Sequence, residues 1–386
     1  MKIKIPRPKI FAVVLIAVFI VLALFVISIA TKGNSKPYVW VDADPGVVDT
    51  FALAYLLKNP DEINMLGISV VYGNTTVENG VKNVLTLMDV MNRHDVPVHI
   101  GSSKPLLKPP TNLGMLVHGF DGIWGQQQSH DISNIPTDAP AAIAEAARNN
   151  PGMILLAIGP ATNIALAVQQ YPEDMKKAKI YMLAEITGNE YNRVHSDPFP
   201  GGFNTWIDPD AVDVVLNTPG LDFTIFRGGA YDGITVDANE YANELKTKGG
   251  SLGQFLESIA TPSWQMTSQG AGGPIVLDDL ILAILGTHPD YITKSIKGYA
   301  KVSVHHDYTG GTYYFADNPY SKVILLGSDQ ELSELANNYF TQPNYDIQLK
   351  LQLFLIMSRA QDNLNVLTGL KGSEVLNTIK FAFNEN

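Results

Sequence analysis

The sequence predicts an α/β protein built on an open, mostly parallel mixed sheet flanked by helices. Two observations carry that class. From residue 38 onward, apolar runs of strand length alternate with segments of helical period, the pattern of a parallel sheet with crossover helices. The first of those runs ends in a carboxylate-rich turn, "VDADPGVVDT", at the kind of strand end where open α/β sheets gather their ligands.

The elements follow in order. "YVWVDAD" reads as a strand and "TFALAYLLK" as a helix. "INMLGISVVYG" is the next strand. "TVENGVKNVLTLMDVMNR" keeps a helical period and is read as a helix. "VPVHIG" is a strand, "AAIAEAARNN" a helix, "MILLAIG" a strand, "TNIALAVQQY" a helix and "KIYMLA" a strand. Two irregular stretches interrupt the series. "GSSKPLLKPPTNLGMLVHGFDGIWGQQQ" is too long and too rich in Gly and Pro for a plain connection and reads as an active-site loop; "TGNEYNRVHSDPFPGGFN" is the second. Beyond about residue 300 come the closely spaced strands "KVSVHHDY", "GTYYFAD" and "KVILLGS", then a helical tail from Asp329. The expected organisation is an N-terminal segment 1–31, a linker 32–37, one domain over 38–342 and a helical extension over 343–386.

Composition narrows the function. The chain has 386 residues, 46% hydrophobic and 17% charged, enough for a large core. Its 38 acidic residues against 27 basic ones give a net charge of −11, and the basic residues beyond the N-terminus are scattered, so no nucleic-acid surface is expected. With no cysteine, disulfides, thiolate metal sites and a cysteine nucleophile are excluded, and any metal must be held by oxygen or imidazole. The N-terminus carries Lys2, Lys4, Arg7 and Lys9 ahead of an apolar run from Ile10 to Ala30 whose one polar side chain is Ser28. That pattern predicts a membrane-spanning anchor with the remaining chain extracytoplasmic, or, alternatively, a signal cleaved near Ala30 and a secreted product.

The turn after the first strand holds Asp42, Asp44 and Asp49. Carboxylates forced together repel unless a cation neutralises them, and a hard cation such as Ca²⁺ takes its ligands from carboxylates, carbonyls and water. The same residues can also cap a helix and shape a turn, so from this segment both readings stay open. The motif is similar in addition to the strand end of haloacid-dehalogenase-type phosphatases, with "LDD" at Asp278 and Asp279 as a downstream acidic pair. The Pro-Gly pair and the lack of a placed lysine depart from that pattern.

Five motifs, "VDADPGVVDTFALAYLL", "VVYGNTT", "VHGFDGIWG", "LLAIGPATNIALA" and "FNTWIDPDA", occur in the order and spacing of the inosine-uridine-preferring nucleoside hydrolase family, which the chain resembles over about residues 38 to 342. The resemblance implies a Rossmann-like core and hydrolysis of the N-glycosidic bond of ribonucleosides or a related ribosyl compound. It implies one Ca²⁺ held by Asp44, Asp49, Asp278 and the main-chain carbonyl of Ile158, with Asp42 behind the ligands. Asn74, His118 and Asn204 match positions that contact the nucleoside, and a homo-oligomer is possible by the same likeness. Where the family has its general base, just before Asp49, this chain has Val48. Gly202 stands for the carboxylate near the ribose, and Leu277 for the histidine before the late aspartate. Those three departures lead to an expectation of weak or altered hydrolysis, with Glu185 as a substitute base. The alternative is a ribose- or nucleoside-binding protein that keeps the site and lacks the chemistry. Trp124 is available to stack on a base or to pack beneath the loop.

Overall fold

The computed structural model describes residues 36–186, 202–227, 231, 233–267, 272–297, 299–302, 323–327 and 364–385. The chain divides into two units, residues 1–37 and 38–386, and of the first only Lys36 and Pro37 are among the described residues.

The second unit is built on a sheet of strands β1 (Tyr38–Ala43), β2 (Asn64–Val70), β3 (Val98–Ile100), β4 (Ile154–Ala157), β5 (Lys179–Ile186), β6 (Asp222–Arg227), β9 (Ile292–Lys297) and β12 (Leu364–Leu370). Their order is β3-β2-β1-β4-β5-β6-β12-β9. All neighbours are parallel except the β12–β9 pair, so the sheet is mixed and mostly parallel, as the alternation of elements predicts. Small antiparallel pairs, β7 (Val236–Asp237) with β8 (Pro274–Ile275) and β10 (Tyr299–Val302) with β11 (Val323–Gly327), lie outside it.

The two-residue period of β1 divides the core. Val39, Val41 and Ala43 face one side with helices α1 (Val47–Lys58), α2 (Val77–Met91) and, further along the chain, α10 (Gly250–Thr267) and α11 (Asp278–Thr287). Trp40 faces the other, with α4 (Ala139–Asn149), α5 (Thr162–Gln170) and α8 (Pro209–Leu216). Asp42 shares the face of Trp40 and is fully buried, so its carboxylate must find partners inside the protein.

Chain order along the sheet reverses between β1 and β4. That is the topological switch point, where the carboxyl ends of two neighbouring strands send their loops apart and leave a crevice. The turn after β1 and the segment after β4 meet there, with the Ile158 amide donating to the Asp42 carbonyl at 2.9 Å.

Three expectations change. First, the stretch from 343 on, read as a helical extension, supplies β12 to the central sheet and α12 (Gly372–Phe381), whose Val375 and Ile379 are core residues. A strand this late pairs with partners far away in sequence, which local periodicity does not register. Second, a pair of packed helices, α9 (Ala238–Lys248) and α10, occupies a stretch in which no element was expected. Pro262 inside α10 masks its helical signal.

Third, the membrane assignment is corrected. Among the described residues no helix is long and apolar enough to cross a membrane, and the run from Ile10 to Ala30 that suggested an anchor lies outside them. The most apolar described helices, α1 and α11, have 12 and 10 residues and pack on each other in the core. A span needs about 20. Membrane attachment and the extracytoplasmic location drawn from it are therefore not carried forward.

Candidate functional site

The site starts from the β1 turn. Gly46 caps α1, and a Cβ there would stand 2.6 Å from His118 Nδ1 and 2.8 Å from Asn74 Nδ2, so the Pro-Gly pair lets two other segments close on the turn. Asp49, in the first turn of α1, is fully buried and organises that closure. Its Oδ1 accepts from the Asp44 amide at 3.2 Å, and its Oδ2 accepts from the Gly46 amide at 3.2 Å and from Asn74 Nδ2 at 2.8 Å. Asp44 Oδ2 accepts from the Asn74 amide at 2.8 Å, whereas its Oδ1 is buried with no hydrogen-bond partner among the described residues.

Behind them, Asp42 Oδ1 accepts from Asn163 Nδ2 at 2.8 Å and from the Ser69 hydroxyl, and its Oδ2 is likewise unpartnered. Burial outweighs those hydrogen bonds and pushes the Asp42 carboxyl up to about 7.

The long loop folds over the turn. Asn83 Nδ2, from α2, donates to the carbonyls of Pro45 and Asp121 at 2.9 and 2.8 Å, fixing loop to turn. Lys108, also in the loop, places Nζ 3.3 Å from the Trp206 ring centre and donates to the Trp206 carbonyl, tying the loop to α7 (Phe203–Ile207), the helix of Asn204. The loop's own short helix, α3 (Met115–His118), delivers His118, whose Nδ1 accepts from the Val47 amide at 2.9 Å. Burial holds the imidazole down to about 4, so at neutral pH the ring is uncharged. With Nδ1 accepting, its proton sits on Nε2, which is a donor. Trp124 packs beneath the loop, its indole donating to the Val117 carbonyl at 2.9 Å.

These elements enclose a cavity of about 290 Å³. Asn74, His118, Ile158, Asn204 and Asp278, all singled out in the sequence, line it, as do Val48 and Gly202, whereas Leu277, just before Asp278, is buried in the core. The Ile158 carbonyl accepts from Asn204 Nδ2, which leaves its second lone pair for another partner. Gly202 has φ +79°, a backbone that side-chain-bearing residues rarely adopt. Glu185 falls at the end of β5, and its side chain is outside the described residues.

One cavity residue went unrecognised. Asp279 is 6% exposed and lines the cavity, and the charge of Asp49 helps to push its carboxyl up. "LDD" shows both aspartates, but neighbours on a helix point about 100° apart, and only one was assigned inward.

The donor set suits a hard cation. Asp44 and Asp279 are pushed well above the ordinary carboxylate range by burial and by the charge of Asp49, and Asp278 to about 6 by burial. Such a cluster is relieved by a divalent ion with oxygen ligands, and the unpartnered Asp44 Oδ1 is a ready donor. Among the described residues no three acidic or histidine side chains already converge into a cage, so the carboxylates would have to draw together around an ion.

The carboxyls set an unusual pH response. Folded pKa values above the unfolded ones mean that the native state holds protons which the unfolded chain has released between about pH 4 and 7. Stability is thus greatest below that window and falls as pH rises through it. His118, held down to about 4, pulls the other way as pH drops below 6.5, but it is one group against several. In chelator, the melting temperature is expected to be higher at pH 5.5 than at 7.5; a rise with pH across that range would contradict this account.

Fold and site together define an α/β protein that receives a small polar ligand beside clustered carboxylates at the switch point of its sheet. The family model for inosine-uridine preferring nucleoside hydrolase matches residues 39–348, and the chain belongs to that family. It is 27% identical over 297 residues to probable uridine nucleosidase 1 of Oryza sativa subsp. japonica, covering 73% of this chain and 88% of that protein. It is 27% identical over 306 residues to the pyrimidine-specific ribonucleoside hydrolase RihA of Salmonella arizonae, covering 75% and 94%. A solved plant nucleoside hydrolase superposes with a TM-score of 0.71 at 19% identity, covering 91% of this chain and all of that one. Hydrolysis of the N-glycosidic bond of ribonucleosides is the chemistry of this family, and the haloacid-dehalogenase likeness is set aside.

Proposed function

We propose that the chain is a calcium-assisted ribonucleoside hydrolase of low turnover, with Asp44, Asp49, Asp278 and the Ile158 carbonyl as the ligands of the ion. The observation that carries this reading is the buried Asp44 Oδ1, which has no hydrogen-bond partner among the described residues, in the same turn as Asp49 and Val48, the latter lining the cavity. When bound, the ion would orient the ribose hydroxyls and acidify the attacking water. The remaining steps belong to the chain. Asn74 and Asn204 offer amide groups to the ribose, and Asn74 is already fixed by Asp49 and Asp44. His118, neutral and protonated on Nε2, is placed to hydrogen-bond the ligand near the departing base without carrying a charge of its own. Val48 cannot accept the water proton, and that is the cause of the low rate.

A second reading, a ribose or nucleoside binder without turnover, is favoured by the same Val48 together with Gly202 and Leu277. Ribose release from a panel including inosine and uridine, with and without chelator, separates the two. Slow, calcium-dependent release is expected. Binding by calorimetry with no release would establish the binder, and neither binding nor release would sink both.

A further inference from the structure

Within the ion reading just given, the charge lost at Val48 has a counterpart elsewhere in the cavity. Helix α11 begins with two aspartates, and Asp278 and Asp279 both line the cavity that Val48 also lines. Asp279 is the more buried of the two, at 6% exposure. The helix that carries it packs on α1, the helix of Val48 and Asp49, so Asp279 and Val48 line the same cavity from two packed helices. Carboxylates buried around one cavity repel unless they are protonated or a cation draws them together. Asp44 Oδ1, on a residue 1% exposed, is left in the same cluster with no partner among the described residues.

We propose that Asp279 is a fourth carboxylate of the cation site, supplying from α11 the negative charge that the β1 turn lacks at Val48. Two consequences separate this from a packing role. With four aspartates the site is overcharged when empty, so neutralising Asp279 relieves repulsion in the metal-free protein. With an ion bound, the same change removes a donor, and cation affinity rises and falls with ligand charge.

The test is calorimetric titration of the full-length protein with calcium chloride, alongside its melting temperature in chelator, for the parent, Asp279→Asn and Asp49→Asn. Asp279→Asn is expected to bind calcium about 10- to 100-fold more weakly, a loss at least on the scale of a supporting partner of a metal ligand, and to melt higher in chelator. Asp279→Ala provides the same comparison if the asparagine variant folds poorly. Unchanged calcium affinity in Asp279→Asn, with a parent that binds, would overturn this inference and leave the ion reading standing. Weaker binding joined to a lower melting temperature in chelator would mark a structural role and also overturn it. A parent indifferent to calcium, and indistinguishable from Asp49→Asn, would remove the ion reading and this inference with it.

Discussion

Asp49→Ala is expected to lower kcat/KM for ribonucleosides by about 10³ or more, since an ion that polarises substrate or water contributes several kcal/mol and each 1.36 kcal/mol is tenfold. The loss is larger than that of one ligand because Asp49 also builds the turn. Its two oxygens receive three donors, the amides of Asp44 and Gly46 and the side chain of Asn74. Removing it strands those donors in a buried setting, at about 1–3 kcal/mol each, while relieving the repulsion felt by Asp44 and Asp279. The two effects oppose each other, so metal-free stability changes less than the activity does. Steady-state kinetics with saturating calcium, paired with melting curves in chelator, checks both halves. Turnover within tenfold of the parent would show that the proposed ligand set is mistaken.

Much of this site could be read before any coordinates because its parts are local. Asp42, Asp44 and Asp49 are held by one turn, and the Pro-Gly pair between them announces a close approach, here of His118 and Asn74. Strands β1 to β5 were legible for the same reason, a local alternation of strand and helix, whereas β6 and β9 were not read. What escaped was non-local. β12 joins β6 and β9 across long separations, and the sharing of one cavity by Asp279 and Val48 depends on how α11 lies against α1, which no period encodes. Gly202 shows a different limit. Its identity shows that no side chain is present, but only the positive φ shows that the backbone there suits glycine.

That distinction decides what Val48→Asp can restore. Val48 lines the cavity and is only partly buried, at the margin of the core, so a carboxylate introduced there can reach the cavity. A general base is worth about 10² to 10⁴ in rate. The expected gain is nearer the lower end, about 10- to 100-fold in kcat, because under the proposed reading Gly202 and Leu277 offer no side-chain partner to the ribose or the leaving group. A further Gly202→Glu change is not expected to complete the repair, since φ +79° would be strained with any side chain. The new carboxylate also joins a crowded cluster, with Asp49 adjacent in sequence and Asp278 and Asp279 across the cavity. Without an ion it adds like charge, so Val48→Asp should melt below the parent in chelator and recover most of the difference in calcium. The gain in kcat should follow calcium as well, and a leucine at position 48 should give neither effect. A Val48→Asp protein with parental turnover and a calcium-independent melting temperature would show that the missing carboxylate is not what limits this enzyme, and would move attention to Glu185 at the end of β5.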